Sequence, residues 1–105
     1  MLHLTADSNI LLAIEPVDFR KQIDGLASLC ELHLKQEPRS GALFVFINRT
    51  KTMIRILCYQ DNGFWLATKR LSRGRYLYWP KGDESTCPLD AAKLTQILKG
   101  VLASS

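Results

Sequence analysis

Apolar and polar positions recur along this chain with two different periods, and the changes of period mark out its elements. Ile10 to Ile14 (ILLAI) is a short continuous apolar run closed by Pro16, the pattern of a buried strand. After it, Phe19, Ile23, Leu26, Ala27, Cys30 and Leu34 fall at helical spacing. Asp18 stands where the N-cap of that helix belongs, because its carboxylate can accept from unpaired first-turn N–H groups. The helix is expected to end near Lys35, ahead of the turn Pro38-Arg39-Ser40-Gly41. Gly25 in its interior costs about 1 kcal/mol relative to alanine, which suggests a close contact there.

From Ala42 the period shortens. Ala42 to Ile47 (ALFVFI) is apolar throughout and reads as a central strand, followed by a polar turn over Asn48 to Thr52. In Met53 to Tyr59, Ile54, Ile56 and Cys58 share one face while Arg55 and Leu57 occupy the other. Asp61-Asn62-Gly63 signals a hairpin, since Asn-Gly tolerates the positive φ angles of a type I′ turn. Phe64 to Leu71 is the returning strand, Ser72-Arg73-Gly74 a turn, and Arg75 to Trp79 a further extended segment closed by Pro80. Lys81 to Pro88 reads as loop. Asp90 then caps a second helix with Ala91, Leu94, Ile97 and Leu98 on one face and Gly100 as its stop. The residues before Ile10 read as a polar loop, and Ala103 to Ser105 as a fraying end. The fold class is α+β: an antiparallel sheet of about four to five strands, built round a meander, with two helices packed on one face of it. All 105 residues form a single domain without repeats or linkers.

Charge changes the picture more than composition does. The chain carries fourteen Lys and Arg against ten Asp and Glu, a formal charge of +4. Eight of the bases lie between Arg49 and Lys81 with a single acid, Asp61, so this third of the chain stands at +7 and the remainder at −3. Phe64, Trp65, Tyr76, Tyr78 and Trp79 are interleaved with them. Clustered cations attract phosphates or acidic surfaces, and exposed aromatics stack on bases or anchor interfaces. Neither makes or breaks bonds, so the pattern indicates a binding surface. The plainer alternative is a solvated sheet face whose charges keep an edge soluble, with Trp65, Tyr76 and Trp79 filling the core.

Catalytic chemistry finds little to work with. His3 and His33 have no nucleophile at useful spacing, no set of carboxylates suits a two-metal site, and the phosphate-loop and dinucleotide glycine patterns are missing. Cys30, Cys58 and Cys87 are odd in number, widely spaced and without a C-x-x-C pair, which reads as small apolar side chains in or near the core of a protein from a reducing compartment. No catalytic residue, metal or cofactor is therefore expected. No apolar run approaches the roughly 18 residues of a membrane span, and the N-terminal stretch has no basic leader of the signal-peptide kind. Ser40 to Phe46 lacks the glycine and aromatic spacing of an RNA-recognition sheet.

The residues nevertheless form an ordered series: Pro16-x-Asp18-x-Arg20-Lys21, Asp24-Gly25-Leu26, Ser40-Gly41-x-Leu43-Phe44-Val45-Phe46-x-Asn48-Arg49, Ile56-Leu57, Gly63-Phe64, Lys69-Arg70-Leu71, Gly74-Arg75 and Trp79-Pro80. In this order they resemble the TnpB, or second-open-reading-frame, proteins of the sixty-six family of bacterial insertion sequences. Gln22, Arg55 and Ser72 depart from that pattern, where glycine, lysine and an acid are usual. The resemblance implies a cytoplasmic, non-enzymatic accessory protein of transposition, encoded beside a transposase that performs the strand-transfer chemistry. Its expected partners are that transposase and DNA, at element ends or without sequence preference. The residues expected to bind are Arg20, Lys21, Arg49, Lys51, Lys69, Arg70, Arg73 and Arg75, with Tyr78 and Trp79 as aromatic anchors. The rival expectation is an adaptor that uses the same residues to dock on the transposase and never touches nucleic acid.

Overall fold

The computed structural model describes residues 8–102. The expected leader loop and fraying tail lie, for residues 1–7 and 103–105, outside the described residues. In chain order the elements are β1 (Ile10–Ala13), α1 (Ile23–Leu32), β2 (Leu43–Ile47), β3 (Met53–Gln60), β4 (Gly63–Arg70), β5 (Arg75–Tyr76), β6 (Thr86–Leu89), α2 (Ala91–Lys99) and β7 (Val101–Leu102). Five strands form the main sheet in the order β4-β3-β2-β1-β6, and β5 pairs with β7 in a small second sheet. The fold is α+β, with the expected meander as β2-β3-β4.

Three features of the sheet differ from the sequence expectation. The sheet is mixed, because β1 runs parallel to β2, with Ile10 opposite Leu43 and Leu12 opposite Val45. A parallel pair needs a crossover, and α1 supplies it. The segment read as loop contains β6, which pairs antiparallel with β1 at the edge of the sheet, Cys87 opposite Leu12. Pro88 hid it, since proline is tolerated only on edge strands. Third, the helices cover opposite faces instead of one. Leu26 and Cys30 of α1 pack on Phe44, Phe46 and Leu57. Leu94 and Ile97 of α2 pack, with Tyr76 and Trp79, on Leu12, Val45, Ile47, Ile54 and Ile56. With both faces covered, β2 is buried at every position, which is why it reads as an unbroken apolar run.

The first helix also begins later than its apolar spacing suggests. Its N-cap is Gln22, which makes no side-chain capping bond. Asp18 instead accepts from the Arg20 N–H at 2.9 Å and from the Arg20 guanidinium, so its capping ability is used in a turn before the helix. Phe19 lies in that turn, where the Arg55 guanidinium sits 4.7 Å from its ring centre. The far end is as expected: Lys35 takes a left-handed φ of 55° and the Gln36 N–H reaches back to the Cys30 carbonyl at 2.9 Å. In α2 both expected ends are present. Asp90 accepts from the Lys93 N–H at 2.7 Å, and the Gly100 N–H donates to the Gln96 carbonyl at 3.0 Å. The hairpin loop is Asp61-Asn62, with Gln60 opposite Gly63, and only Asp61 of this loop has a positive φ, 58°. Gly63 is already in the strand, so the turn is not the expected type I′.

Two buried or half-buried polar groups lead to expectations that can be checked. Arg55 projects from β3 and donates through Nη1 to the carbonyls of Phe19 at 2.7 Å and Lys21 at 2.9 Å, and through Nε to Thr68 Oγ1 at 3.2 Å. It fastens the β1–α1 connection to the sheet. Arg55→Lys keeps the charge but not the fork, and is expected to lose about 1–2 kcal/mol in urea unfolding. Tyr76 is buried, and its hydroxyl has no hydrogen-bond partner. An orphaned hydroxyl opposes folding, so Tyr76→Phe is expected to leave the urea midpoint unchanged or to add up to about 1 kcal/mol.

Candidate functional site

The parallel pairing of β1 with β2 places the C-terminal ends of both strands at the same end of the sheet as the start of β3 and the end of β4. Four connections gather there, tied by backbone bonds: Val17 N–H to the Ile47 carbonyl at 2.9 Å, Leu71 N–H to Thr52 at 2.9 Å, Tyr76 N–H to Lys51 at 2.9 Å, and Ile14 N–H to Ser85 at 3.1 Å. Residues far apart in sequence thus share one surface. These connections are where the bases are.

The loop after β2 is held from within. Asn48 Oδ1 accepts from the N–H groups of Thr52 at 2.9 Å and Met53 at 3.1 Å, its Nδ2 donates to Thr52 Oγ1 at 3.0 Å, and Lys51 takes a left-handed φ of 61°. That wiring holds Arg49 outward, between two hollows. One is shared with Asp18, Arg20 and Thr50, and the other with Lys21 and His33. Lys51 shares a third hollow with Lys81 and Glu15. Lys69 and Arg70, at the end of β4, diverge: Lys69 is opposite Ile54 and so lies on the α2 side, while Arg70 is opposite Met53 on the α1 side. Arg73 follows in the turn. Arg75 is exposed on β5, beside the Tyr76 that bonds to Lys51.

The electrostatics of this end are one-sided. Arg20 and Asp18 make the only ion pair among the described residues, at 2.6 Å. The guanidinium and backbone N–H of Arg20 hold the Asp18 carboxyl well below its usual range, at about 2, and the carboxylate in turn raises the Arg20 pKa. Among the described residues, Lys21, Arg49, Lys51, Lys69, Arg70, Arg73 and Arg75 have no carboxylate within ion-pair distance. Glu15, Asp83 and Glu84 are nearby in sequence to the hollow holding Lys51 and Lys81, but they pair with none of the bases.

A model of the IS66 Orf2-like protein family matches residues 8–105. The chain belongs to that family. It is similar to the uncharacterized protein y4hO of Sinorhizobium fredii, with 31% identity over 101 residues, 96% of this chain and 87% of that protein. It is also similar to the uncharacterized protein y4jC of the same organism, with 34% identity over 74 residues, 70% of this chain and 63% of that one. No solved structure matches. The family is that of an insertion-sequence accessory protein, and the resemblance read from the sequence is correct.

Seen on this family's fold, the ten expected binding residues separate into two groups. The eight bases come together around one end of the sheet. The aromatics do not join them as expected. Trp79 is buried, and its indole N–H donates to the carbonyls of Ala13 at 3.2 Å and Ile14 at 3.0 Å, so it holds the core and cannot anchor a partner. Tyr78 is exposed but lies with its ring against Gly100, where a Cβ would come within 2.2 Å of it. The most exposed indole is Trp65, toward the opposite end of β4, donating to Gln60 Oε1 at 3.0 Å. Sequence reading missed Lys81 and His33 as members of the hollows, because no spacing rule joins them to Lys51 or Lys21.

The thiols suit packing. Burial pushes Cys30 up to about 12 and raises Cys58 as well, so neither forms a thiolate at neutral pH. Among the described residues no group of three or more His, Cys, Asp and Glu is placed to hold a metal ion, and no helix is long and apolar enough to cross a membrane.

Proposed function

We propose that this chain is a non-catalytic accessory factor of insertion-sequence transposition, acting in the bacterial cytoplasm. It binds the phosphate backbone of DNA through Arg20, Lys21, Arg49, Lys51, Lys69, Arg70, Arg73 and Arg75. The observation that supports this is the gathering of these cations on one end of the sheet, all but one of them without a carboxylate partner among the described residues. Packing alone does not require such a surface, since like charges held together repel. A polyanion relieves that repulsion and releases its own counterions. The exposed Trp65 and Tyr78 lie away from the bases or against the protein's own backbone, and the half-buried Phe19 beside Arg20 and Arg49 is already faced by the Arg55 guanidinium, so the surface offers few of the stacking platforms that single strands use. It suits duplex phosphates, with register set by position and not by base identity.

The test is fluorescence anisotropy with a labelled element-end duplex and a scrambled duplex, across a salt series. With four to six phosphates contacted, log K is expected to fall against log salt with a slope of about −4 to −5. Similar binding to both duplexes fits backbone contact, and preference for the end sequence adds end recognition. Failure to bind at low salt overturns the reading and assigns the bases to a docking surface for the transposase.

A further inference from the structure

The hollow beside Arg49 has a composition that DNA contact does not explain. It is a cavity of about 530 Å³ between the β1–α1 connection and the end of α1, within the size range of ligand sites. Its floor is aliphatic, made by Ala13, Val17, Leu29 and Leu34, while Lys21, His33 and Arg49 stand around it. Gly25 sets the position of Lys21. A Cβ at Gly25 would come within 3.0 Å of Lys21 Cβ and 3.2 Å of its Cγ, so the missing side chain makes the trough in which the lysine stem lies.

The two acids of the lining do not cancel the rim. Asp18 is already paired with Arg20, which leaves Glu15 as one carboxylate, unpaired among the described residues, against Lys21 and Arg49. The site is therefore cationic above an aliphatic floor. A nucleobase finds no Phe, Tyr or Trp to stack on here, and a bare phosphate leaves the floor unfilled. A peptide with an aliphatic side chain flanked by carboxylates satisfies both parts.

We propose that this hollow docks an acidic segment of a partner protein. The segment seats one Leu- or Ile-like side chain on Val17, Leu29 and Leu34 and sets its flanking carboxylates against Lys21 and Arg49. The hollow shares Lys21 and Arg49 with the bases assigned to DNA above, on which reading it rests, and leaves the bases of β4 and the following turn to the duplex.

The experiment uses the whole chain and labelled peptides, each with one Leu, Ile or Val flanked by Asp and Glu at varied spacing. Saturable binding of a subset is expected, lost when the aliphatic residue is replaced by serine. Lys21→Glu alters an exposed side chain and is expected to weaken binding about tenfold. Gly25→Ala displaces the same lysine and is expected to weaken it several-fold, whereas Arg73→Glu leaves it unchanged. No binding by any peptide overturns the proposal. So does binding that ignores the serine replacement or falls equally in Arg73→Glu, since that is general attraction of polyanions. Duplex affinity of the parent chain separates the two readings: peptide binding without duplex binding leaves the hollow standing alone, and duplex binding without peptide binding leaves the DNA surface standing, whereas Lys21→Glu, at a base both readings use, is expected to weaken both.

Discussion

Combined replacement of Lys69, Arg70 and Arg73 by glutamate is expected to lower affinity for duplex DNA roughly 100-fold at physiological salt and to flatten the salt slope by about 3. Each neutralised phosphate contributes a slope of about −0.9, which near physiological salt amounts to about fivefold in affinity. Three lost contacts therefore multiply to the expected factor before any repulsion from the new carboxylates is counted. All three side chains are exposed and unpaired, so the fold should hold, with unfolding midpoints near those of the parent. Lys93→Glu is the control. Lys93 lies in the first turn of α2, where a carboxylate is favoured by the helix dipole, and its replacement should change duplex affinity by less than about twofold, the scale of a long-range screened charge. If the triple variant binds duplex as the parent does, these bases do not face DNA. If it loses only its affinity for the transposase, the adaptor reading takes their place.

The parts of the fold that were legible in the sequence are those where one local rule acts alone. Asp90 and Gly100 bound α2 because capping is decided within a turn of chain, and the unbroken apolar run of β2 was visible because both its faces are covered. The misreadings arose where a tertiary contact outweighs the local preference. Phe19 fits the helical spacing, yet Arg55 draws the carbonyls of Phe19 and Lys21 toward β3 and holds that turn out of the helix. Thr86–Leu89 contains a proline and no alternation, and it becomes a strand only because the edge of β1 is open to it. The basic surface followed the same division. Its central stretch was legible as a run of bases between Arg49 and Lys81. The sequence also names Arg20 and Lys21, but that they lie at the same end of the sheet as this stretch depends on the parallel register of β1 with β2, which no periodicity encodes. Alternation along β4 puts Lys69 and Arg70 on opposite faces, but no such rule tells that Trp79 turns inward.

Replacement of Trp79 by alanine is expected to cost about 3–5 kcal/mol in urea or thermal unfolding, a large share of the roughly 5–15 kcal/mol that a domain has. The ring is buried among the side chains that join β1, β2 and β3 to α2. Its removal loses apolar contact, leaves a cavity, and frees the carbonyls of Ala13 and Ile14 from their indole donor. Trp79→Phe separates these effects. It retains most of the packing but no N–H, and is expected to cost about 1–3 kcal/mol, the penalty for carbonyls left unsatisfied inside. The loss has a functional side as well. Trp79 pins the segment after β5 to the end of β1; Arg73 and Arg75 lie just before that segment, in the turn and on β5, and Lys81 lies within it. Trp79→Phe should therefore weaken duplex binding modestly at temperatures where it is fully folded, with little change in salt slope, because the bases remain but are held less firmly. A Trp79→Ala protein as stable as the parent would show that the indole is not part of the core, and the anchoring role assigned to it from the sequence would then apply.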